Sequence, residues 1–204
     1  MNIIVSGGGT GGHIYPALTI IRAIQRCEPS ARILYVGTPH GLEADIVPRE
    51  GIDFIAIDLA GFQRKISLEN ISRAWRALLA VARARGIVHG FQPDVAIGTG
   101  GYVAGPILLA ASLAGVPTLV QEQNVFAGVT NRILAKFATA IAVGMEDAKN
   151  VFPKEKTYVT GNPIRPEVLT ATRAEGARAF GFDPAKKTVL VSGGSRGART
   201  INRA

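Results

Sequence analysis

Gly7-Gly8-Gly9-Thr10-Gly11-Gly12-His13 follows the apolar run Ile3-Ile4-Val5-Ser6 and precedes Ile14-Tyr15-Pro16-Ala17-Leu18-Thr19-Ile20-Ile21. The first run reads as a short buried strand, the last as a helix, and the glycines as the turn between them. Backbone N–H groups of such a turn, and the free N–H groups of a helix start, point at a bound anion. Glycine lets a ligand approach the backbone closely. The opening stretch is therefore a candidate phosphate cradle.

The pattern repeats outward from there. Strands are expected at residues 3–5, 33–36, 54–57, 95–97, 118–120, 140–143 and 157–159, with room for a crossover helix between most of them. That alternation predicts an α/β fold, a doubly wound parallel sheet buried on both faces. A second glycine turn, Gly98-Thr99-Gly100-Gly101-Tyr102, follows the strand at 95–97 and precedes a helix at 106–114. Two such loops open at the carboxyl edge of a sheet, where α/β ligands bind. The polar run Gln121-Glu122-Gln123-Asn124 ends another strand and is expected to face a ligand.

Gly7, Gly9 and Gly12 match G-x-G-x-x-G, yet no acid stands at the end of the second strand to hold ribose hydroxyls, which argues against NAD. No Gly-Lys-Ser/Thr follows, so the loop is not a P-loop. Glu43 and Asp45, in a short helix at 42–49, are expected to face solvent.

Composition narrows the class. The 204 residues are 47% hydrophobic, enough for a sizeable core. The single cysteine, Cys27, excludes an internal disulfide and fits a reducing compartment. No secretory leader is expected from the start Met1-Asn2-Ile3, and Gly, Pro or a charge interrupts every apolar run before transmembrane length. The net charge of +8 is compatible with nucleic acid, an anionic membrane or phosphorylated substrates. Aromatics at 6% and the lack of a nucleic-acid motif argue against the first.

Residues 61–85 combine a basic loop, Gly61-Phe62-Gln63-Arg64-Lys65, with a long helical pattern. Leu68, Ile71, Trp75, Leu78, Leu79 and Ala82 fall on one helical face, with Arg73, Arg76 and Arg83 on its flank or back. The pattern fits first an ordinary core-facing helix with a polar exterior, and second a patch that meets anionic lipid. Beyond residue 161, Gly161-Asn162-Pro163-Ile164-Arg165-Pro166 reads as a stiff turn or linker. A helix at 173–180, a strand at 188–191 and a third glycine turn, Gly193-Gly194-Ser195-Arg196-Gly197-Ala198, then read as the opening of a second domain. The expected division is 1–162 and 163–204, with the second domain only begun.

Five of these motifs stand in one order: Gly8-Gly9-Thr10-Gly11-Gly12-His13, Gly100-Gly101-Tyr102, Glu122-Gln123-Asn124, Gly161-Asn162-Pro163-Ile164-Arg165 and Gly193 to Ala198. In that order the chain resembles the MurG family of bacterial glycosyltransferases along essentially its whole length. The resemblance implies two Rossmann-like halves of the GT-B type, of which this chain holds the first and the start of the second. It implies N-acetylglucosamine transfer, with inversion, from UDP-N-acetylglucosamine to the lipid-linked muramoyl-pentapeptide diphosphate of peptidoglycan synthesis. No metal and no other cofactor is implied. The enzyme is expected at the cytoplasmic face of the bacterial plasma membrane, serving cell shape and division.

The same resemblance assigns Thr10, Gly11, Gly12, Asn124, Arg165 and Ser195 to the donor. It assigns Gly9, Gly100, Gly101 and Tyr102 to the acceptor diphosphate, and His13 to catalysis. Gln121 departs from the family, where many members carry His before Glu-Gln-Asn. The lipid-linked acceptor favours the membrane reading of residues 61–85. Two other functions fit a chain of this kind: a UDP-sugar epimerase of similar fold, and a non-catalytic module that binds lipid diphosphate or membrane. Without most of a donor domain, residues 1–204 alone are expected to turn over little.

Overall fold

The computed structural model describes residues 1–58, 69–183, 185–191, 193, 198 and 200–203, with backbone only for 69–78 and 202. Met1–Pro163 forms one compact unit and Ile164–Ala204 a second.

The first unit is a seven-stranded sheet flanked by helices. Its strands are β1 (Asn2–Gly7), β2 (Arg32–Gly37), β3 (Asp53–Ala56), β4 (Val95–Gly100), β5 (Thr118–Glu122), β6 (Ala140–Val143) and β7 (Thr157–Val159). The helices are α1 (Gly11–Cys27), α2 (Glu43–Arg49), α3 (Glu69–Phe91), α4 (Ala104–Leu113) and α5 (Val129–Leu134). Each of the seven strand expectations has its strand, shifted by at most a few residues at the ends. All neighbours pair in parallel, in the order β3-β2-β1-β4-β5-β6-β7.

Side-chain alternation along β1 explains the burial on both faces. Ile3 and Val5 pack with Ile14, Ala17 and Ile21 of α1 and with Val47 of α2. Ile4, between them, packs with the other core, which holds Ala84 and Val88 of α3 and Ile107 and Leu108 of α4. Successive residues of a strand point to opposite faces, so an uninterrupted apolar run needs helices on both sides.

The strand order places the site. The chain runs outward from β1 through β2 to β3, then returns to pair β4 on the other side of β1. The crevice of an open α/β sheet lies at such a reversal, outside the carboxyl ends of the two strands. Here those ends are Gly7 and Gly100, which pair across a one-residue register shift after Ser6. The glycine turns after β1 and β4 therefore open at one point.

The second unit contains α6 (Pro166–Thr170) and α7 (Arg173–Phe180). Thr172 caps α7: its Oγ1 accepts from Glu175 N–H, while Glu175 Oε2 accepts from Thr172 N–H at 2.8 Å. Gly181 closes the helix in the left-handed region, at φ 66°. The strand expected at 188–191 is not formed: those residues are irregular, and Val189 and Leu190 are each 86% exposed. A parallel strand is held by neighbouring strands, and among the described residues this unit has none.

Candidate functional site

His13 lies in the first turn of α1, just past the first glycine loop. Its Nδ1 is 2.9 Å from the carbonyl oxygen of Thr99, the residue before the last of β4. A carbonyl only accepts, so Nδ1 carries the proton. In the neutral ring Nε2 is then left with its lone pair, the form that can take a proton. Thr99 holds the same residue a second time, its Oγ1 donating to His13 O at 2.7 Å.

Glycine is required where the two loops meet. A Cβ on Gly100 would stand 2.8 Å from the His13 ring, and one on Gly101 would overlap the Gly8 carbonyl. Both residues have positive φ, 105° and 82°. Gly8 N–H also donates to Gly100 O at 3.3 Å, so the loops are joined through backbone. Tyr35 steadies the first from below, its buried hydroxyl donating to Gly7 O at 2.6 Å. Burial, and secondarily the nearby Glu43 charge, push the Tyr35 phenol above its ordinary pKa of 10.

The polar run at the end of β5 divides by role. Glu122 is buried, and its carboxylate serves the chain itself. Oε1 accepts from Asn124 N–H at 3.0 Å and Asn124 Nδ2 at 3.1 Å. Oε2 accepts from Gly128 N–H at 3.0 Å and Asn131 Nδ2 at 2.9 Å. These bonds shape the turn into α5 and leave Asn124 exposed at its edge. Gln121 is also buried; its Oε1 accepts from Gln123 Nε2, which donates to Thr99 O as well, at 2.7 Å. Thr99 O thus takes donors from both His13 and Gln123.

Asn131 is the residue that the sequence reading missed. It is buried, and its Nδ2 also donates to Gln121 O at 3.2 Å. Its Oδ1 has no protein partner among the described residues. Together with His13, Gly101, Tyr102, Glu122 and Asn124 it lines a cavity of about 220 Å³. A helical asparagine seven residues beyond Asn124 carries no local signal of this role. A larger cavity, about 820 Å³, is lined from β2, β3 and α3 and includes none of the glycine-loop residues.

Glu43 corrects an expectation. It is fully buried rather than solvent-facing, while Asp45 does face solvent and pairs with Arg49 at 2.7 Å. At 100° per residue, two positions along a helix put these side chains on nearly opposite faces. Glu43 Oε2 accepts from Gly9 N–H, and Oε1 accepts from Thr38 N–H and Thr38 Oγ1. An acid therefore does stand near the end of β2, but its oxygens are taken up by protein donors.

The remaining expected site residues separate. Thr10 precedes α1 in extended conformation, and Gly11 and Gly12 are its first two residues. Tyr102 is 39% exposed beside Gly9. Arg165 belongs to the second unit, exposed at the start of α6. Ser195 lies outside the described residues, as do Gly61 to Leu68; of Arg73 and Arg76 only the backbone is described. Among the described residues, no group of three His, Cys, Asp or Glu side chains has the arrangement to hold a metal ion, and no helix is long and apolar enough to cross a membrane.

Residues 3–143 match the model of the glycosyltransferase family 28 N-terminal domain. The chain belongs to glycosyltransferase family 28. Family 28 relatives are similar along the whole chain: 50% identity over 204 residues to a Halalkalibacterium halodurans protein and 53% over 205 residues to one from Desulforamulus reducens. Both are named UDP-N-acetylglucosamine–N-acetylmuramyl-(pentapeptide) pyrophosphoryl-undecaprenol N-acetylglucosamine transferase. The family 28 chain described here spans 56% and 55% of their lengths. The crystal structure of Acinetobacter baumannii MurG is 32% identical, with a TM-score of 0.67 over 80% of this chain and 46% of that one. A UDP-GlcNAc 2-epimerase from Neisseria meningitidis, solved with UDP-GlcNAc bound, reaches a TM-score of 0.60 at 18% identity over 89% of this chain and 53% of that one, a likeness of fold alone.

Proposed function

We propose that this chain forms the acceptor side of a transferase that moves N-acetylglucosamine from UDP-N-acetylglucosamine to a lipid-linked muramoyl-pentapeptide diphosphate, with inversion. The observation that carries this reading is His13, protonated at Nδ1 by its bond to Thr99 O and set where two glycine loops meet. The names of the family 28 relatives supply the substrates.

In this reading His13 Nε2 takes the proton of the acceptor hydroxyl as its oxygen attacks the anomeric carbon. The bond from that carbon to the diphosphate breaks, and its electron pair leaves with UDP. The acceptor diphosphate lies against Gly9, Gly100, Gly101 and Tyr102. Thr10, Gly11 and Gly12 at the α1 start, with Asn124, meet the donor, and the helix N-terminus offsets negative charge without a metal. In the second unit, Arg165 and Ser195 are assigned to the donor by their motifs alone. The protein works at the cytoplasmic face of the plasma membrane, with the basic and apolar residues 61–85 against anionic lipid.

The test is a transfer assay with labelled UDP-N-acetylglucosamine and the lipid-linked acceptor. It is run on residues 1–204 and on the same residues fused to the C-terminal half of the Halalkalibacterium relative. Label is expected to reach lipid with the fusion and hardly at all with residues 1–204. Conversion of UDP-N-acetylglucosamine to its epimer without lipid would replace this reading with an epimerase. Acceptor binding by the fusion without any product would replace it with a non-catalytic binder.

A further inference from the structure

Glu43 is a buried carboxylate with no ion-pair partner among the described residues. Such a group persists in a fold only when hydrogen bonds replace its hydration. Three do: Gly9 N–H at 3.1 Å on Oε2, and Thr38 N–H at 3.1 Å and Thr38 Oγ1 at 2.7 Å on Oε1. The space it fills is made by glycines from three segments. A Cβ on Gly8, Gly37 or Gly41 would each come within 3.0 Å of the Glu43 side chain.

The bond to Gly9 bears on the anion site. Gly9 has φ 81°, and its N–H is committed to Glu43. Thr10, Gly11 and Gly12 then carry the loop amides at the open start of α1. We propose that Glu43 is the positioning residue of the first glycine loop, holding Gly9 N–H so that the Thr10, Gly11 and Gly12 amides receive the oxygens of a phosphate group. The phosphate rests on the function proposed above; the hold on Gly9 does not.

A carboxylate serves all three donors where an amide of the same size does not. Glutamine has one acceptor oxygen. Placed toward Thr38, it turns its NH₂ against Gly9 N–H; placed toward Gly9, it keeps that bond, lets its NH₂ donate to a rotated Thr38 hydroxyl and leaves only Thr38 N–H without an acceptor. Glutamine can therefore keep Gly9, whereas Glu43→Met, unbranched and without an oxygen acceptor, releases both sides.

The test uses the ¹⁵N-labelled 204-residue chain, with inorganic pyrophosphate as probe. In Glu43→Met the Gly9 amide proton is expected to move upfield and to exchange about tenfold faster or more, as loss of a bond to a charged acceptor implies. The Ile97 amide, in the sheet interior, stays unchanged. Pyrophosphate binding weakens roughly fivefold or more by the same loss. An unchanged Gly9 resonance overturns the proposal, and so does a released Gly9 with unaltered pyrophosphate affinity. If the parent chain does not bind pyrophosphate, the phosphate reading of the loop fails, and the Gly9 amide alone judges the hold by Glu43. Should Glu43→Met not fold, Thr38→Val loosens the carboxylate at conserved volume. A smaller shift of Gly9 in the same direction is then expected, and none counts against the proposal.

Discussion

His13 and Thr99 clasp each other through two hydrogen bonds of opposite sense. Thr99 O accepts from the His13 ring, and Thr99 Oγ1 donates to the His13 carbonyl. One bond selects the tautomer, and the other fixes the first turn of α1 against the end of β4. If His13 is the base, His13→Gln in the transfer-competent fusion should lower kcat by about 10²–10⁴-fold. Initial rates at saturating donor and acceptor check this, and a loss confined to KM would assign His13 to binding instead.

Gly101 is the tightest point between the loops. Gly101→Ala forces a side chain onto φ 82° and against Gly8 O. We expect a loss of about 1–3 kcal/mol from backbone strain alone, measured by urea denaturation of the 204-residue chain. Gly51→Ala is the control, since its φ is also positive but its surroundings are open. Equal losses at the two sites would mean that the contact with Gly8 contributes nothing.

Tyr35→Phe removes the donor to Gly7 O inside the sheet. Leaving that buried carbonyl unpaired should cost about 1–3 kcal/mol. Because the folded-state pKa of Tyr35 is raised, its contribution is fully present below pH 10 and is lost as pH rises beyond it, where the unfolded phenol ionises first. The stability difference between parent and variant should therefore shrink in alkaline denaturation series. A constant difference through that range would contradict the assignment.

The second unit has a titration of opposite sign. Hydrogen bonds from the Thr172 side chain and backbone lower the Glu175 pKa from its ordinary 4.5. The capping box thus contributes above pH 4.5 and is lost as pH falls through the lowered folded-state value. The Glu175 and Gly176 amide resonances, read over that range, should report loss of the cap on acidification. Thr172→Ala should flatten the titration, and an identical profile in the variant would place its origin elsewhere.

Membrane contact by residues 61–85 predicts a charge effect. Changing Arg73, Arg76 and Arg83 together to Glu should weaken binding to vesicles rich in anionic lipid by roughly tenfold or more, given about 1 kcal/mol per basic residue at such a surface. Co-sedimentation at low and moderate salt measures it. Unaltered binding would restore α3 to a purely core-facing role.

Much of the molecule was legible because its signals are local. Ile3-Ile4-Val5 is β-branched and apolar throughout, which a strand buried on both faces demands. Thr172 and Glu175, three apart, announce the start of α7. Charge alone places Glu43 outside, and only its donors explain its burial. The apolar run at 188–191 predicts a strand, but such a run is a strand only where neighbours can pair with it. Asn131 escaped notice because its role depends on a bond to Glu122 and on a cavity wall contributed from other elements.

By itself the sequence determined the α/β alternation, the two glycine turns at strand ends and the residues that resemble a family. Each of these follows from side-chain periodicity or backbone freedom within a dozen positions. The tertiary structure decided that β4 returns to lie beside β1, bringing Thr99 to His13 across 86 positions, and that Glu43 closes beneath the loop. Strand order is set by which apolar faces bury together and which backbone edges pair, and these long-range choices leave no periodic trace in the chain.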